Sequence, residues 1–145
     1  MKVEKLTQID EQQLDNIMAI WLDSNVEVHH FIAASYWQDA YDEVKLQIKN
    51  ADIFVAYHVD KIVGFAGLTA NYIAGIFVVS EYRNQGIGGC IINELKRRYS
   101  DLELDVYQKN ESALVFYQHN GFKTVRQSIE AATDELELQM KWQKN

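Results

Sequence analysis

The segment from Arg83 to Gly89 carries the residues best suited to bind an anion. Its three glycines, Gly86, Gly88 and Gly89, follow an apolar run typical of a strand and open an apolar stretch typical of a helix. The first turn of a helix has N–H groups without partners and a partial positive charge, which both favour a phosphate. Glycine lets the backbone approach that anion closely, and Arg83 adds a permanent cation. The segment therefore predicts a pyrophosphate-binding turn.

Two other interpretations of these glycines must be weighed. A tight turn from strand to helix can require glycine even when no ligand binds there. A dinucleotide-binding fingerprint does not fit because its third glycine would fall at Ile91, and the Gly-Lys-Ser/Thr of a nucleoside triphosphate site is missing. The arginine, together with the order strand, turn, helix, favours the anion site over the empty turn.

Hydrophobic periodicity predicts the elements that position this turn. Helices are expected over 10–22, 33–50, 88–99 and 111–120, with Asp10 capping the first and Gly121 closing the last. Strands are expected over 3–6, 53–58, 62–68, 72–79, 102–107, 122–127 and 135–142. Residues 24–31 are expected to form a loop, and strand 72–79 is apolar enough to be buried on both faces. This order predicts an α/β architecture with a mixed sheet, in which strands 72–79 and 102–107 run parallel.

Composition limits the possible functions. The chain has 145 residues and a formal net charge of −7, and its size predicts one domain over 1–145. An acidic chain lacks the basic surface that nucleic acid requires, and the apolar runs are too short to cross a membrane. Met1-Lys2-Val3-Glu4 does not resemble a secretory signal. With the lone Cys90, these features predict a cytoplasmic protein without nucleic-acid or membrane partners. Its oligomeric state is left open between a monomer and a homodimer. The ligand spacing of a metal site is missing, so no metal is expected.

The same residues resemble a known family. Arg83-x-x-Gly86-x-Gly88 is similar to the (Gln/Arg)-x-x-Gly-x-(Gly/Ala) motif of the GNAT superfamily of N-acetyltransferases. Ile76-Phe77-Val78 fits the family's fourth strand, and Asn110, Tyr117 and Gly121-Phe122 stand at the spacings found after its fifth. The resemblance implies the GNAT fold, a mixed, mostly antiparallel sheet of about six to seven strands flanked by four helices, with a splayed parallel strand pair that binds the cofactor.

A closer resemblance is to the bacterial YiaC and YjaB group, whose members are described as peptidyl-lysine N-acetyltransferases. It rests on residues 20–24, His29, 31–32, 36–37, 104–110 and 116–118. It implies that the acceptor amine is a protein lysine side chain.

The family resemblance also implies roles for single residues. Acetyl-CoA would be the cosubstrate, with its pantetheine arm paired to the backbone of Ile76, Phe77 and Val78. The pyrophosphate would lie in a cradle made by Arg83, Asn84, Gln85, Gly86, Ile87, Gly88 and Gly89. Asn110 would approach the cofactor, and Tyr117 would be the general acid that protonates the leaving thiolate.

Each of these roles has a structural alternative. Tyr117 could simply pack on an amphipathic helix, and Asn110 could cap the helix that starts after it. Asp105 is the candidate base, although its strand face with Glu103 and Tyr107 could be solvated, and solvent could take the proton instead. The amine pocket is expected to include His29, Phe31 and Tyr72.

Together these observations predict an enzyme that moves an acetyl group from acetyl-CoA to a primary amine. The amine would attack directly within a ternary complex, and a protein lysine is the first candidate acceptor. The alternatives are a small-molecule amine such as a polyamine, an amino acid or a drug, and a non-catalytic acetyl-CoA-binding sensor. A pure binder has no need of Tyr117.

Overall fold

The computed structural model describes residues 1–145 and contains seven strands, four α-helices and one turn of 3₁₀ helix, Ser80–Tyr82. The strands are β1 (Lys2–Lys5), β2 (Asp52–His58), β3 (Lys61–Thr69), β4 (Tyr72–Val78), β5 (Asp101–Tyr107), β6 (Lys123–Glu130) and β7 (Glu135–Gln143). The helices are α1 (Glu11–Val28), α2 (Ala34–Asn50), α3 (Ile87–Arg98) and α4 (Glu111–His119).

All seven strands form one sheet in the order β1-β2-β3-β4-β5-β7-β6. Only β4 and β5 run parallel, and α3 connects them; the other neighbours are antiparallel. The predicted mixed sheet with one parallel pair is therefore confirmed. None of the helices is long and apolar enough to cross a membrane.

The helices cover the two faces of the sheet in pairs. On one face, α1 and α2 enclose an apolar cluster that includes Ile17, Met18 and Phe65. On the other face, α3 and α4 enclose a second cluster, with Ile91 and Leu104 at its centre. Burying a side chain of this size contributes about 1.5–3 kcal/mol, so each cluster anchors its own helix pair. The two sides of the sheet therefore have separate cores.

Helix α1 continues six residues beyond its predicted end, so the loop prediction was wrong for residues 24–28. Ser24 and Asn25 are polar but buried, and the Asn25 side-chain amide donates to the Trp21 carbonyl oxygen at 2.9 Å. Tertiary burial thus overrides the weak helix propensity of serine and asparagine. As a result the C-terminal end of α1 comes close to the strands of the site.

The apolar sequence of β4 predicted burial on both faces, and this prediction was wrong. Only Ile73 is fully buried, and the residues after it are partly accessible or exposed. The strand lacks a hydrogen-bonded neighbour on its β5 side beyond this point. Its apolar side chains therefore line a cleft rather than a closed core.

The predicted helix boundaries carry the expected caps. Asp10 and Gln13 form a reciprocal capping box at the start of α1. Asn110 caps α4 by accepting from the Ala113 amide at 3.3 Å, and Gly121 follows that helix with a φ of 87°. Strand β6 runs further than predicted and brings Glu130 into the sheet.

Candidate active site

The site is built around a gap between the two parallel strands. Strands β4 and β5 pair only at Tyr72 with Glu103 and at Ile73 with Leu104. Beyond these pairs the strands separate, although β4 stays paired to β3 as far as Val78. The backbone of β4 after Ile73 therefore has N–H and C=O groups that face an open gap.

A β-bulge and the register determine which groups face this gap. Gly67 pairs with Gly75 but Leu68 pairs with Ile73, so Ala74 is the extra residue of the bulge. The Val79 amide donates to the Val63 carbonyl oxygen on β3. Because alternate residues face opposite neighbours, the Phe77 backbone also faces β3, whereas the Ile76 and Val78 backbones face the gap.

The glycine turn lies at one end of the gap. Asn84 and Gly86 have φ angles of 62° and 83°, and Gly86 directly precedes the first residue of α3. A Cβ atom added at Gly86 or Gly89 would meet no protein atom within 4 Å, whereas at Gly88 it would lie 3.2 Å from the Phe116 ring. Two of the three glycines therefore leave space over the cavity, as a cradle for a pyrophosphate requires.

A cavity of about 320 Å³ lies over this turn. Its walls include Ile76, Val78, Arg83, Asn84, Gly86, Ile87, Gly88, Gly89, Asn110 and Tyr117, so most of the predicted cofactor residues are together here. Phe77 and Gln85 are outside this wall: Gln85 donates to the Glu81 carbonyl oxygen, and Phe77 stacks on Phe65.

Arg83 is held across the cleft rather than free in solution. One guanidinium nitrogen bonds to the Glu27 carboxylate on α1 at 2.7 Å, and Nε donates to the Val78 carbonyl oxygen at 3.1 Å. The side chain thus connects the glycine turn to both α1 and β4.

His29 and Asn110 close the cleft further along. The Asn110 amide lies 3.2 Å from His29 Nε2, and His29 Nδ1 lies 2.9 Å from the Asn25 side-chain oxygen. Because an amide oxygen only accepts, Nδ1 carries the hydrogen and Nε2 accepts from Asn110. Burial lowers the pKa of His29 to about 4, so the ring is neutral. It stacks on Trp37 and contacts Tyr107 edge-on.

A second cavity of about 320 Å³ opens on the α1 and α2 side of the gap. Aromatic side chains form much of its wall, among them Tyr36, Trp37, Tyr72 and Tyr107. Two of the three predicted pocket residues, His29 and Tyr72, lie in it. Phe31 does not line this cavity and packs against the rings of His29 and Tyr107.

Tyr117 lies where the two cavities meet, since it lines both. It projects from α4, is only 8% exposed, and packs edge-on against Phe122. Burial alone raises its pKa, and no protein group bonds to the hydroxyl. The phenol therefore stays protonated at neutral pH, inside a site to which it can donate.

Comparison with known proteins agrees with this geometry. Residues 49–124 match the Acetyltransferase (GNAT) domain. The chain is 33% identical to the peptidyl-lysine N-acetyltransferase YiaC of Escherichia coli K12, over 83% of this chain and 84% of YiaC. The chain belongs to the GNAT family. It is an acetyl-CoA-dependent N-acetyltransferase, and the family resemblance found in its sequence is confirmed.

Other GNAT proteins show the same fold. The chain is 29% identical to YjaB of E. coli K12, also named a peptidyl-lysine N-acetyltransferase, over 79% of this chain and 78% of YjaB. The solution structure of apo YjaB superimposes with a TM-score of 0.84, covering both chains completely at 24% identity. The PaiA N-acetyltransferase of Thermoplasma acidophilum, solved with coenzyme A, has a TM-score of 0.76 at 18% identity, covering 99% of each chain.

Asp105, the predicted base of this GNAT site, lines the second cavity but is already engaged. The Tyr72 hydroxyl donates to its carboxylate at 2.8 Å. Its strand face is the expected one, because Glu103, Asp105 and Tyr107 alternate with the buried Leu102, Leu104 and Val106.

Two carboxylates of the GNAT cavity were missed by sequence reasoning. Glu130 ends β6 and Glu137 lies in β7, and both line the cavity beside Asp105. The strictly alternating Glu135-Leu136-Glu137-Leu138 would have placed Glu137 on the polar face of its strand. Only the pairing of β7 with β5 brings that face to Tyr107, and no local sequence pattern specifies this contact.

The Glu130–Glu137 pair is electrostatically unfavourable when both groups are charged. Burial, followed by the charges of Glu130 and Asp105, raises the pKa of Glu137 to about 7. Glu130 accepts hydrogen bonds from the Tyr107 and Thr133 hydroxyls, both at 2.6 Å. Since hydroxyl donors favour the ionised form, we place the proton of the pair on Glu137.

Gly86 offers a test of cofactor binding in this GNAT cradle. Gly86→Ala should cost about 1–2 kcal/mol of stability because its φ is positive, and its methyl group should lower acetyl-CoA affinity about tenfold or more, equivalent to about 1.4 kcal/mol. Gly121→Ala is the control, with a φ of 87° outside both cavities. Its added Cβ would lie 3.3 Å from the Trp142 ring, so it should lose at least as much stability but keep its affinity. Thermal unfolding and calorimetric titration measure both; equal affinity in the two variants would contradict the cradle.

His29 and Glu137 should affect stability with opposite signs below pH 7. The pKa of His29 is lowered in the folded state, so the unfolded state takes up a proton first and stability falls as pH falls from 6.5 towards 4. The folded pKa of Glu137 is raised, so stability falls as pH rises from 4.5 towards 7. The stability of His29→Gln relative to wild type should therefore fall as pH rises. The stability of Glu137→Gln relative to wild type should rise with pH. Unfolding midpoints at pH 5 and pH 8 check this; parallel pH profiles for all three proteins would refute it.

Proposed function

We propose that this GNAT protein acetylates primary amines, with protein lysine side chains as the first candidate acceptors. The amine attacks acetyl-CoA directly within a ternary complex, and residues 1–145 act as one domain. The acidic composition and lone cysteine support a cytoplasmic setting. The names of the YiaC and YjaB relatives support the lysine assignment.

The observation that carries this proposal is the meeting of two cavities at Tyr117. One cavity opens over the glycine turn on the α3 and α4 side of the gap, and the other lies among aromatic and acidic side chains on the α1 and α2 side. Because the gap interrupts the sheet, two substrates entering from opposite faces can touch there. Such an arrangement fits direct transfer between them, without a covalent enzyme intermediate.

The chain's own residues supply binding and proton transfer. Acetyl-CoA brings the acetyl thioester, which an amine can attack without metal or other cofactor. The N-terminal amides of α3 bind the pyrophosphate. The gap-facing backbone of Ile76 and Val78 holds the pantetheine arm, and one of these amides stabilises the negative charge that develops on the carbonyl oxygen. Tyr117 protonates the leaving thiolate.

A small cationic amine is the second candidate acceptor. It is favoured by the carboxylates of Asp105, Glu130 and Glu137 on the wall of the second cavity, where the one lining cation, Arg83, is itself paired with Glu27. A peptide N-terminus is a further primary amine, and it differs from a lysine side chain in the energy needed to deprotonate it. Only about 1 in 2,500 lysine side chains is neutral at pH 7, equivalent to about 4.6 kcal/mol, against about 1.4 kcal/mol for an N-terminal amine.

A panel of acceptors separates these candidates. Peptides with an internal lysine, peptides with only a free N-terminus, and polyamines are compared at equal concentration by release of free thiol from acetyl-CoA. We expect the highest kcat/KM for the lysine peptides. Preference for polyamines would replace the first candidate with the second, and no transfer to any amine would indicate a sensor.

Removal of the Tyr117 hydroxyl tests catalysis apart from binding. Tyr117→Phe should lower kcat about 10²-fold or more, the usual contribution of a general acid, while acetyl-CoA affinity stays within about twofold. Tyr99→Phe is the control, because Tyr99 carries the same hydroxyl outside both cavities, and it should retain full kcat. An unchanged kcat in Tyr117→Phe would show that the thiolate receives its proton elsewhere.

A further inference from the structure

The second cavity, on the α1 and α2 side of the gap, has one carboxylate on its wall that accepts no hydrogen bond from a hydroxyl or amide group. Of the three on its wall, Asp105 accepts from the Tyr72 hydroxyl, and Glu130 accepts from the hydroxyls of Tyr107 and Thr133. Glu137 accepts no hydroxyl or amide donor, and its carboxyl group lies against that of Glu130. The three do not form a cluster able to hold a metal ion. Above pH 7, where it has lost the proton of the pair, Glu137 is therefore the carboxylate with lone pairs free for a substrate.

Glu137 has a fixed place on the sheet. It pairs with Tyr107 on β5 and with Ser128 on β6, so Glu130 is its diagonal neighbour on the same face. Leu138 is buried in the cluster under α3 and α4, which turns Glu137 to the α1 and α2 side. This is the side from which an acceptor amine enters.

An independent observation marks the same cavity as a reaction site. Tyr117 is more than nine-tenths buried on its wall, and its hydroxyl has no protein partner. An acidic group on the amine side and an unpaired phenol at the junction are the two proton-handling groups that acetyl transfer requires.

Resting on the proposed acetyl transfer, we propose that Glu137, rather than Asp105, takes the proton from the acceptor amine. Asp105 then acts as a positioning residue that orients Tyr72 in the pocket wall. Glu130 tunes Glu137 through its charge.

The proton balance of this step is complete. The ammonium gives one proton to the Glu137 carboxylate, and the nitrogen lone pair forms the N–C bond to the acetyl carbonyl. As the C–S bond breaks, the thiolate takes the proton of Tyr117, and the phenolate recovers one from the nitrogen. Glu137 then releases its proton to solvent. The products are an N-acetyl amine, free coenzyme A and one proton.

The surroundings of Glu137 suit a base that works near neutrality. Burial and two carboxylates raise its pKa to about 7, which allows it both to accept and to release a proton at that pH. The titratable groups around the pair are acidic, phenolic or a neutral imidazole: Asp105 and Tyr107 on β5, Glu130 on β6, Tyr72 on β4, Tyr36 on α2 and His29 just after α1. The one cation on the cavity wall is Arg83, which is paired with Glu27.

The first test compares two amines that differ in basicity. Glu137→Gln should lower kcat/KM for a lysine peptide about 10²-fold, within the range for a lost general base. For trifluoroethylamine, a primary amine already neutral at pH 8, the loss should be smaller than about threefold. Glu135→Gln is the matched control on the same strand and face, outside the cavity, and should act like wild type on both. An equal loss on both amines would show a structural role and overturn the proposal.

The second test measures the carboxyl group itself, without substrate. In protein labelled with ¹³C at glutamate side-chain carboxyls, one resonance should titrate near pH 7. It should be missing in Glu137→Gln and move to lower pH in Glu130→Gln, and the acidic limb of the lysine-peptide kcat/KM profile should move with it. A titration near 7 that leaves the pH profile of kcat/KM unchanged would overturn the assignment.

Failure of the proposed function and failure of this inference give different results. If the wild-type protein transfers acetyl to no amine, the proposed function itself is wrong. If the wild type is active and Glu137→Gln has the same kcat/KM for the lysine peptide, only the assignment of Glu137 is wrong.

Discussion

The site depends on one interruption of backbone pairing. In a continuous sheet, β4 would satisfy its outward N–H and C=O groups with β5, and no opening would connect the two faces of the sheet. Here the parallel pairing ends after Ile73 and Leu104. The bulge at Ala74 lies where the strands separate, and its one extra residue bends β4 away from β5. Polar backbone groups left without a strand then require a ligand or water.

Side chains from distant parts of the chain keep this gap from collapsing. Arg83 connects the glycine turn to Glu27, and Asn110 connects the start of α4 to His29. Glu27 lies in the last turn of α1, which sequence periodicity did not predict, and His29 directly follows that turn. The extension of α1 to Val28 is thus a requirement of the site, because a helix ending at Leu22 could not place either partner there.

Local signals predicted the parts of the site that lie within one strand, turn and helix. Local sequence spacing is enough to place the glycines at the start of α3, the cap at Asn110 and the position of Tyr117, because they lie in consecutive elements of the chain. Family resemblance, rather than periodicity, assigned Tyr117 a chemical role. Glu130 and Glu137 could not be found in this way, because β7 pairs with β5 and brings the terminal hairpin beside Asp105. The exposure of β4 was missed for the same reason, since its missing neighbour is a tertiary feature.

The charges along the cleft match a reaction between an anion and a cation. Over the glycine turn the only charged side chain on the cavity wall is Arg83, already paired with Glu27, so the proposed binding of the pyrophosphate depends mainly on the amides and dipole of α3. At the other end three carboxylates face phenols and a neutral imidazole. Placing Glu137 beside Glu130 costs stability at neutral pH, which a purely structural wall would avoid by using one amide. This cost falls on the side where, in the proposed reaction, an ammonium enters and loses a proton. In that proposal the repulsion that weakens the fold also prepares Glu137 to accept the proton.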